Sequence, residues 1–140
     1  MPEVIGRVQS VIDERDLNAK LPGSRPKVRA AISAYVRWVA TDYADDVLSI
    51  TLYGSQARGE ASAESDIDLF IVVRHNTPTL RQALADLAWQ VQFEHDVVIS
   101  DIVRSANQLR EMQARQFPYY ESVEREGILL WKNASELMPA

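Results

Sequence analysis

Three kinds of feature are missing from this 140-residue sequence, and each absence excludes a class of protein. The chain has no cysteine, so disulfide bonds, zinc–thiolate sites and thiol catalysis are excluded. It has no run of about 20 apolar residues and no signal-peptide core, so we expect a cytoplasmic protein without a membrane span. It also lacks a positive surplus: the net charge of −5 gives no strong signal for nucleic-acid binding.

The length of the chain predicts one compact domain with short extensions at both ends. Residues 1–24 form an N-terminal helical lead-in, because apolar residues recur at helical spacing from Val4 to Ile12 and Pro22-Gly23 then interrupts the pattern. Residues 25–132 form the domain itself. Residues 133–140 are a C-terminal tail.

Apolar spacing predicts alternating helices and strands within the domain. Helices are expected over residues 27–44, 76–92, 105–116 and 121–126, and strands over residues 47–53, 66–73, 96–103 and 128–131. The second and third strands flank a helix, so they should lie parallel and adjacent in a right-handed crossover. We therefore expect an α/β (α+β) fold, with a small mixed sheet of three to four strands flanked by helices.

A pair of carboxylates marks the start of the second strand. Asp66 and Asp68 are two residues apart, so their side chains leave the same face of the strand, roughly 6–7 Å apart along the chain. Carboxylates this close repel one another unless a cation lies between them, and Mg²⁺ prefers oxygen ligands of this kind. An isolated pair of this type is more often a surface turn.

Gly54 and Ser55 follow the first strand, ten residues before the carboxylates. Glycine lets the backbone approach a ligand, and the free amides of a turn leading into a helix attract phosphate oxygens. Arg58 lies one helical turn beyond Ser55, and its guanidinium could pair with phosphate. Taken alone, a Gly-Ser pair is nearly always a turn, and a loop arginine is solvated as often as it is functional.

Together, Gly54-Ser55-Gln56-Ala57-Arg58-Gly59 and Ser65-Asp66-Ile67-Asp68-Leu69 resemble the nucleotidyltransferase family that includes DNA polymerase beta. The similarity is to the minimal branch of that family, and it extends from about residue 27 to residue 131. Every fixed position of the two motifs is present with the usual gap. Gln56 departs from many members, which have arginine there.

The resemblance implies ATP as the nucleotide donor and two Mg²⁺ ions as cofactors. It also implies a third carboxylate at the start of the next strand, for which Asp96 is preferred to Asp101, since Asp101 lies nearer the far end of that strand. Asp66, Asp68 and Asp96 would then hold the metal ions and carry catalysis. The cofactor-binding residues would be Gly54, Ser55, Arg58 and Ser65.

Three alternatives for the function remain open. The resemblance favours a separate partner protein, a HEPN-type toxin that would receive AMP on a tyrosine, which would make this chain the antitoxin. A small molecule of the aminoglycoside type is the second alternative, and a non-catalytic nucleotide-binding scaffold is the third. Retention of all three carboxylates argues against the scaffold. Homo-oligomerisation is left open.

Overall fold

The computed structural model describes residues 14–133 of the chain, with side chains from residue 16. The predicted helix from Val4 to Ile12 and the tail beyond residue 133 lie outside the described residues. In chain order the elements are α1 (Glu14–Lys20), α2 (Pro26–Asp42), β1 (Val47–Tyr53), α3 (Gly54–Arg58), β2 (Ile67–Val73), α4 (Pro78–His95), β3 (Ile99–Ser105), α5 (Ala106–Ala114), α6 (Pro118–Glu126) and β4 (Ile128–Lys132).

The four strands form one mixed sheet in the order β3-β2-β1-β4. Strands β2 and β3 are parallel, as the crossover through α4 predicts, whereas β1 is antiparallel to both β2 and β4. The expected fold class is therefore confirmed. No helix in the stretch 14–133 has both the length and the apolar character needed to cross a membrane.

The larger part of the core covers one face of the sheet. Helices α2 and α4 lie on this face, with their apolar stripes against alternate residues of β2, among them Leu69 and Ile71. Leu17 and Leu21 are also buried in this cluster. The described part of the lead-in therefore shares its core with the rest of the domain.

A smaller core covers the opposite face. Phe70 and Val72 of β2 contact Met112 of α5 and Val123 of α6 there, and the Phe70 ring lies 5.6 Å from that of Tyr120. Side chains alternate along a strand, so Asp68 shares this face with Phe70. The α5–α6 face of the sheet is therefore the face of the candidate site.

Two predicted boundaries are wrong. Residues 54–65 are not entirely a loop, because Gly54–Arg58 forms the short helix α3, which ends at the left-handed Gly59. The third strand begins at Ile99 instead of Asp96, because α4 continues to His95 and Asp96 caps it in a left-handed conformation, with φ of 54°. The side-chain oxygen of Gln92 then accepts the backbone N–H of Ile99 and fixes where β3 starts.

Candidate active site

Asp68 lies at the centre of the sheet edge formed by β1, β2 and β3. Its Cα is paired with that of Tyr53 on β1 and with that of Ser100 on β3. Residues paired in this way present their side chains on the same face. Asp68 is partly buried between these neighbours, whereas Asp66, just before β2, is exposed.

Gly54 closes over the Asp68 carboxylate. It has a left-handed backbone, with φ of 75°, and a methyl group at this position would overlap Oδ2 of Asp68 and lie 3.1 Å from its Cγ. Only glycine satisfies both conditions. The first motif therefore brings its backbone directly against the second.

The carboxylate pair carries negative charge that no ion pair within residues 16–133 neutralises. Burial raises the pKa of Asp68, and the negative charge of Asp66 raises it further, whereas Arg58 lowers it. Within residues 16–133, neither Asp66 nor Asp68 forms an ion pair with a lysine or arginine. The pair is thus an anionic site on which the Arg58 charge acts, but with which no lysine or arginine among residues 16–133 forms an ion pair.

Ser65 shapes the loop that leads to the carboxylates. Its hydroxyl accepts the backbone N–H of Ser62 at 2.8 Å, and its carbonyl accepts a hydrogen bond from Nε2 of Gln56 at 3.4 Å. Gln56 is buried, with 6% of its surface exposed. Its position in the first motif marked it only as a departure from arginine, so its role in holding Ser65 was missed.

The Arg58 guanidinium forms ion pairs with two nearby carboxylates. Its guanidinium contacts Glu126 of α6 at 2.8 Å and Glu60 at 3.3 Å. The hydrogen bond to Glu126 is the main cause of the raised pKa of Arg58, and the same bond lowers the pKa of Glu126. Glu126 and Glu60 therefore compete with a phosphate for the Arg58 guanidinium.

Asp96 does not begin a strand beside Asp68, as the sequence had suggested. It follows the last turn of α4, its side chain is 98% exposed, and its carboxylate contacts Lys27 of α2 at 3.4 Å. Among residues 16–133, no group of three or more histidine, aspartate or glutamate side chains is placed to hold a metal ion. The structure therefore brings Asp66 and Asp68 together and leaves Asp96 apart.

Asp101, the competing third carboxylate, lies on β3 but points away from the site. Its Cα pairs with that of Leu69, whose side chain is in the larger core. Its charge acts on the buried hydroxyl of Tyr35, a residue of α2, and burial raises the pKa of Asp101 itself. Ser100 is the β3 residue that faces Asp68.

Two tyrosines beside Asp68 were not anticipated. The hydroxyl of Tyr119 at the start of α6 donates to that of Tyr53 at 2.6 Å, and the rings meet edge to face with centroids 5.9 Å apart. Burial is the main cause of the raised pKa of both hydroxyls; Asp68 raises both further and Arg104 lowers both. These residues are distant in sequence, so no local pattern signals the cluster.

Two cavities flank these residues. One, of about 280 Å³, lies between α3 and the turn after α1, and its lining includes Lys20, Ser24, Gln56 and Arg58. The other, of about 420 Å³, is named here the α5–α6 cavity. It is lined by Arg104, Gln108, Glu111, Met112, Phe117 and Tyr119. Tyr119, which lines this second cavity, donates a hydrogen bond to Tyr53. Tyr53 in turn lies beside Asp68 on the neighbouring strand.

The observed donor set fits a divalent cation at the carboxylate pair. Two oxygen-bearing side chains lie at the start of β2, Asp68 is partly desolvated, and the negative charge of Asp66 raises the pKa of Asp68. Hard cations such as Mg²⁺ take oxygen ligands and keep positions free for phosphate. The residues present fit one cation only. A second cation would need a third carboxylate from β3, and the β3 residue that faces Asp68 is Ser100.

Comparison with known proteins agrees with this geometry. The model of the nucleotidyltransferase domain family matches residues 36–127, which include both motifs, the carboxylate pair and all of α6. The chain belongs to this nucleotidyltransferase family. It is accordingly a nucleotidyltransferase, and its substrate is a nucleotide.

Relatives within the family are named for their reaction. "Putative protein adenylyltransferase MJ0141" of Methanocaldococcus jannaschii is 32% identical over 74 residues, which are 51% of this chain and 74% of that one. "Putative protein adenylyltransferase MJ0604" of the same organism is 30% identical over 101 residues, covering 72% and 95% of the two chains. A solved structure described as a "putative minimal nucleotidyltransferase" has a TM-score of 0.50 and 22% identity, over 84% of this chain and 95% of that one.

Proposed function

We propose that this nucleotidyltransferase transfers AMP from ATP to a hydroxyl group of a partner protein. The observation that carries the proposal is the contact of the Gly54 backbone with the Asp68 carboxylate. It places the turn that begins α3 against a carboxylate pair that forms no ion pair with a lysine or arginine among residues 16–133. This combination suits a metal–triphosphate complex, because the amides attract phosphate while the carboxylates attract its cation.

The triphosphate is assigned to the N-terminal end of α3. The first amides of a helix have no partner within it, so Ser55 and its neighbours can donate to the β- and γ-phosphates. The Ser55 hydroxyl supplies a further donor. Arg58 would join them when it leaves Glu126, and Ser65 acts through the loop that it shapes.

Asp66 and Asp68 are assigned to Mg²⁺, which when bound would neutralise charge on the transferring phosphoryl group. The Gly54 backbone packs against the Asp68 carboxylate, and the pairing of β2 with β1 fixes the Asp68 backbone. Asp96 was expected to hold a second ion, but its position beside Lys27 gives no support to that role. A second ion would need oxygen ligands from ATP, water or the acceptor.

A protein acceptor is favoured over a small molecule. Two relatives that share at least 30% identity carry the name of protein adenylyltransferase. We infer that the acceptor comes from a separate chain, for which a HEPN-type toxin with a tyrosine target is our candidate.

The test is transfer of label from α-labelled ATP to candidate acceptors in the presence of Mg²⁺. Wild type and an Asp66→Asn, Asp68→Asn double variant are each incubated with the protein encoded beside this one and with an aminoglycoside. Label on the protein only with wild type would support the proposal. Label on the aminoglycoside alone would instead assign a small-molecule transferase. Equal label with wild type and with the double variant would exclude the carboxylate pair from the reaction.

A further inference from the structure

Helix α4 presents two large aromatic side chains to solvent. Trp89 is 68% exposed and Phe93 is 82% exposed, whereas the opposite side of the helix, with Leu84, Leu87 and Val91, is buried in the larger core. Residues four apart lie on one face of a helix, so the two rings are neighbours. Each ring buries about 150–250 Å² when it is covered, and adjacent exposed rings mark a binding surface.

A small residue completes the apolar part of this face. Ala85 lies one turn before Trp89 and is also exposed. Ala85 and Phe93 stand four positions on either side of Trp89. A second α4 that runs antiparallel and crosses at Trp89 would place Phe93 of each copy opposite Ala85 of the other. A large side chain then meets a small one, as in well-packed helix pairs.

The two ends of the same face carry opposite charges. Arg81 lies in the first turn of α4, which has no acidic residue, and Asp96 caps the last turn. The helix dipole favours an anion near the N-terminal end and a cation near the C-terminal end, so both charges lie at the less favourable end of their own helix. An antiparallel helix alongside reverses this relationship, because its N-terminal end lies beside Asp96.

Both charges are open to a further ion pair. Arg81 donates to the carbonyl and the side-chain oxygen of Asn76 at 3.3 and 2.9 Å, but it pairs with no carboxylate in the described part of the chain. Asp96 contacts Lys27 at 3.4 Å and its side chain is 98% exposed. Trp89 lies eight positions after Arg81 and seven before Asp96. A twofold axis at Trp89 would therefore bring Arg81 and Asp96 of different copies within about 1.5 Å of the same height along the helices.

We propose that this α4 face, formed by Arg81, Ala85, Trp89, Phe93 and Asp96, binds a second copy of the chain, with the two α4 helices antiparallel about Trp89. The aromatic rings form the apolar centre, and two Arg81–Asp96 ion pairs flank it. Charge complementarity selects a second copy as the partner, because one patch supplies both the cation and the anion that a twofold interface requires. A parallel copy would instead place Arg81 against Arg81.

The proposed interface leaves the candidate active site open. Helix α4 covers the larger core, whereas Asp68 shares its face of the sheet with Phe70 and the smaller core under α5 and α6. The two carboxylate sites of a dimer would therefore face away from the twofold axis, and each could receive its own acceptor. The inference stands apart from the proposed function, since self-association requires neither ATP nor transfer.

The first test measures self-association of the full chain by analytical ultracentrifugation over a range of concentrations. We expect a monomer–dimer equilibrium that Trp89→Gln and Phe93→Gln each weaken about ten-fold or more, as for central aromatic residues of an interface. Leu129→Gln is the matched control, because Leu129 is a 45% exposed hydrophobic residue on β4. A chain that stays monomeric up to roughly 1 mM would overturn the inference, and so would binding of a different protein alone through Trp89.

The second test reverses the two charges. Arg81→Glu and Asp96→Arg should each weaken self-association about ten-fold or more, because each variant sets two like-charged pairs across the interface. An equimolar mixture of the two variants should restore a dimer with one copy of each, since every reversed position then faces an opposite charge. Arg110→Glu is the control, because Arg110 is an exposed arginine of α5, on the other face of the sheet.

Mixing also separates the interface from a folding defect, because neither variant changes its own sequence in the mixture. A mixture that fails to associate, while wild type does, would overturn the antiparallel pairing. Stronger association of Arg81→Glu with wild type than of wild type with itself would indicate parallel helices and contradict the proposal. An equal effect of Arg81→Glu and Arg110→Glu would reduce the result to net charge and remove α4 from the interface.

Discussion

The backbone of Gly54 lies directly against the carboxylate of Asp68, so close that a methyl group on Gly54 would overlap Oδ2 of Asp68. The two residues belong to different motifs, 14 positions apart, and meet because β1 and β2 are antiparallel neighbours. The contact couples the conformation of the proposed phosphate loop to the position of the proposed metal ligand. It also provides a sharp test of the site.

Gly54→Ala should impair both folding and transfer. We expect a loss of about 1–2 kcal/mol in the free energy of unfolding from the left-handed backbone alone, and a roughly 100-fold loss of AMP transfer as Asp68 is displaced. Gly59→Ala is the matched control, because Gly59 has nearly the same φ, 74°, with open space around it. Urea unfolding and label transfer measure the two effects; equal transfer in both variants would separate Gly54 from the site.

Asp68→Asn should stabilise the protein in the absence of divalent cations. The raised pKa means that the folded state binds protons more tightly, so the free energy of unfolding falls as pH rises from the unfolded pKa through the folded one. Removing the charge removes this loss at neutral pH. Mg²⁺ should raise the melting temperature of wild type and of a Glu64→Gln control, but not that of Asp68→Asn. An equal rise in all three would place the ion elsewhere.

Asp96→Ala should leave the transfer rate within about two-fold of wild type. The carboxylate is 98% exposed and contacts Lys27, in a surface ion pair typically worth about 0–1 kcal/mol. Asp68→Ala measured alongside should lose at least about 100-fold, because the proposed metal ligand is removed. A comparable loss in Asp96→Ala would restore Asp96 as the third carboxylate and show that the site rearranges when substrate binds.

Asp101→Asn should separate stability from activity. Burial raises the pKa of Asp101, so the free energy of unfolding should fall with rising pH through the interval between its unfolded and folded values. The variant should flatten this part of the pH profile and be more stable at neutral pH, with transfer unchanged, because the side chain faces Tyr35 and the larger core. Denaturant unfolding across pH measures the first effect. Loss of transfer at full stability would contradict this placement.

Glu126→Gln should strengthen ATP binding, and Arg58→Gln should weaken it. The first substitution frees the Arg58 guanidinium from its 2.8 Å contact with Glu126, and the second removes the guanidinium itself. The KM for ATP should change in opposite directions, each by about three- to ten-fold, because one variant gains and the other loses a charged contact with phosphate that solvent partly screens. If both variants raise the KM, the ion pair stabilises the position of α6 and Arg58 does not contact phosphate.

Local patterns were sufficient for much of the fold. The apolar periods of α2 and α4 and the alternation in β1 predicted these elements, and the crossover through α4 predicted the parallel pairing of β2 with β3. The Asp66–Asp68 spacing and Gly54 were identified for the same reason. Residues within one turn or one strand have their relative placement fixed by backbone geometry, whatever the rest of the chain does.

The start of β3 could not be predicted in this way. The apolar run after Asp96 suits a strand, but α4 continues to His95, and the hydrogen bond that the Ile99 N–H donates to the Gln92 side chain fixes where β3 starts. A shift of one residue reverses which side chains face Asp68, so Ser100 faces it while Asp101 points to the other core. Register depends on contacts between elements, which the local pattern does not contain.

By itself, the sequence determined the family motifs, the order of the helices and strands, and the carboxylate pair, because each depends on residues close together in the chain. Only the tertiary structure decided the rest of the site. The Arg58–Glu126 ion pair and the Tyr53–Tyr119 hydrogen bond join residues 68 and 66 positions apart. Such contacts form only when α6 docks beside β1 and α3, and that docking is set by the packing of Met112 and Val123 on the sheet.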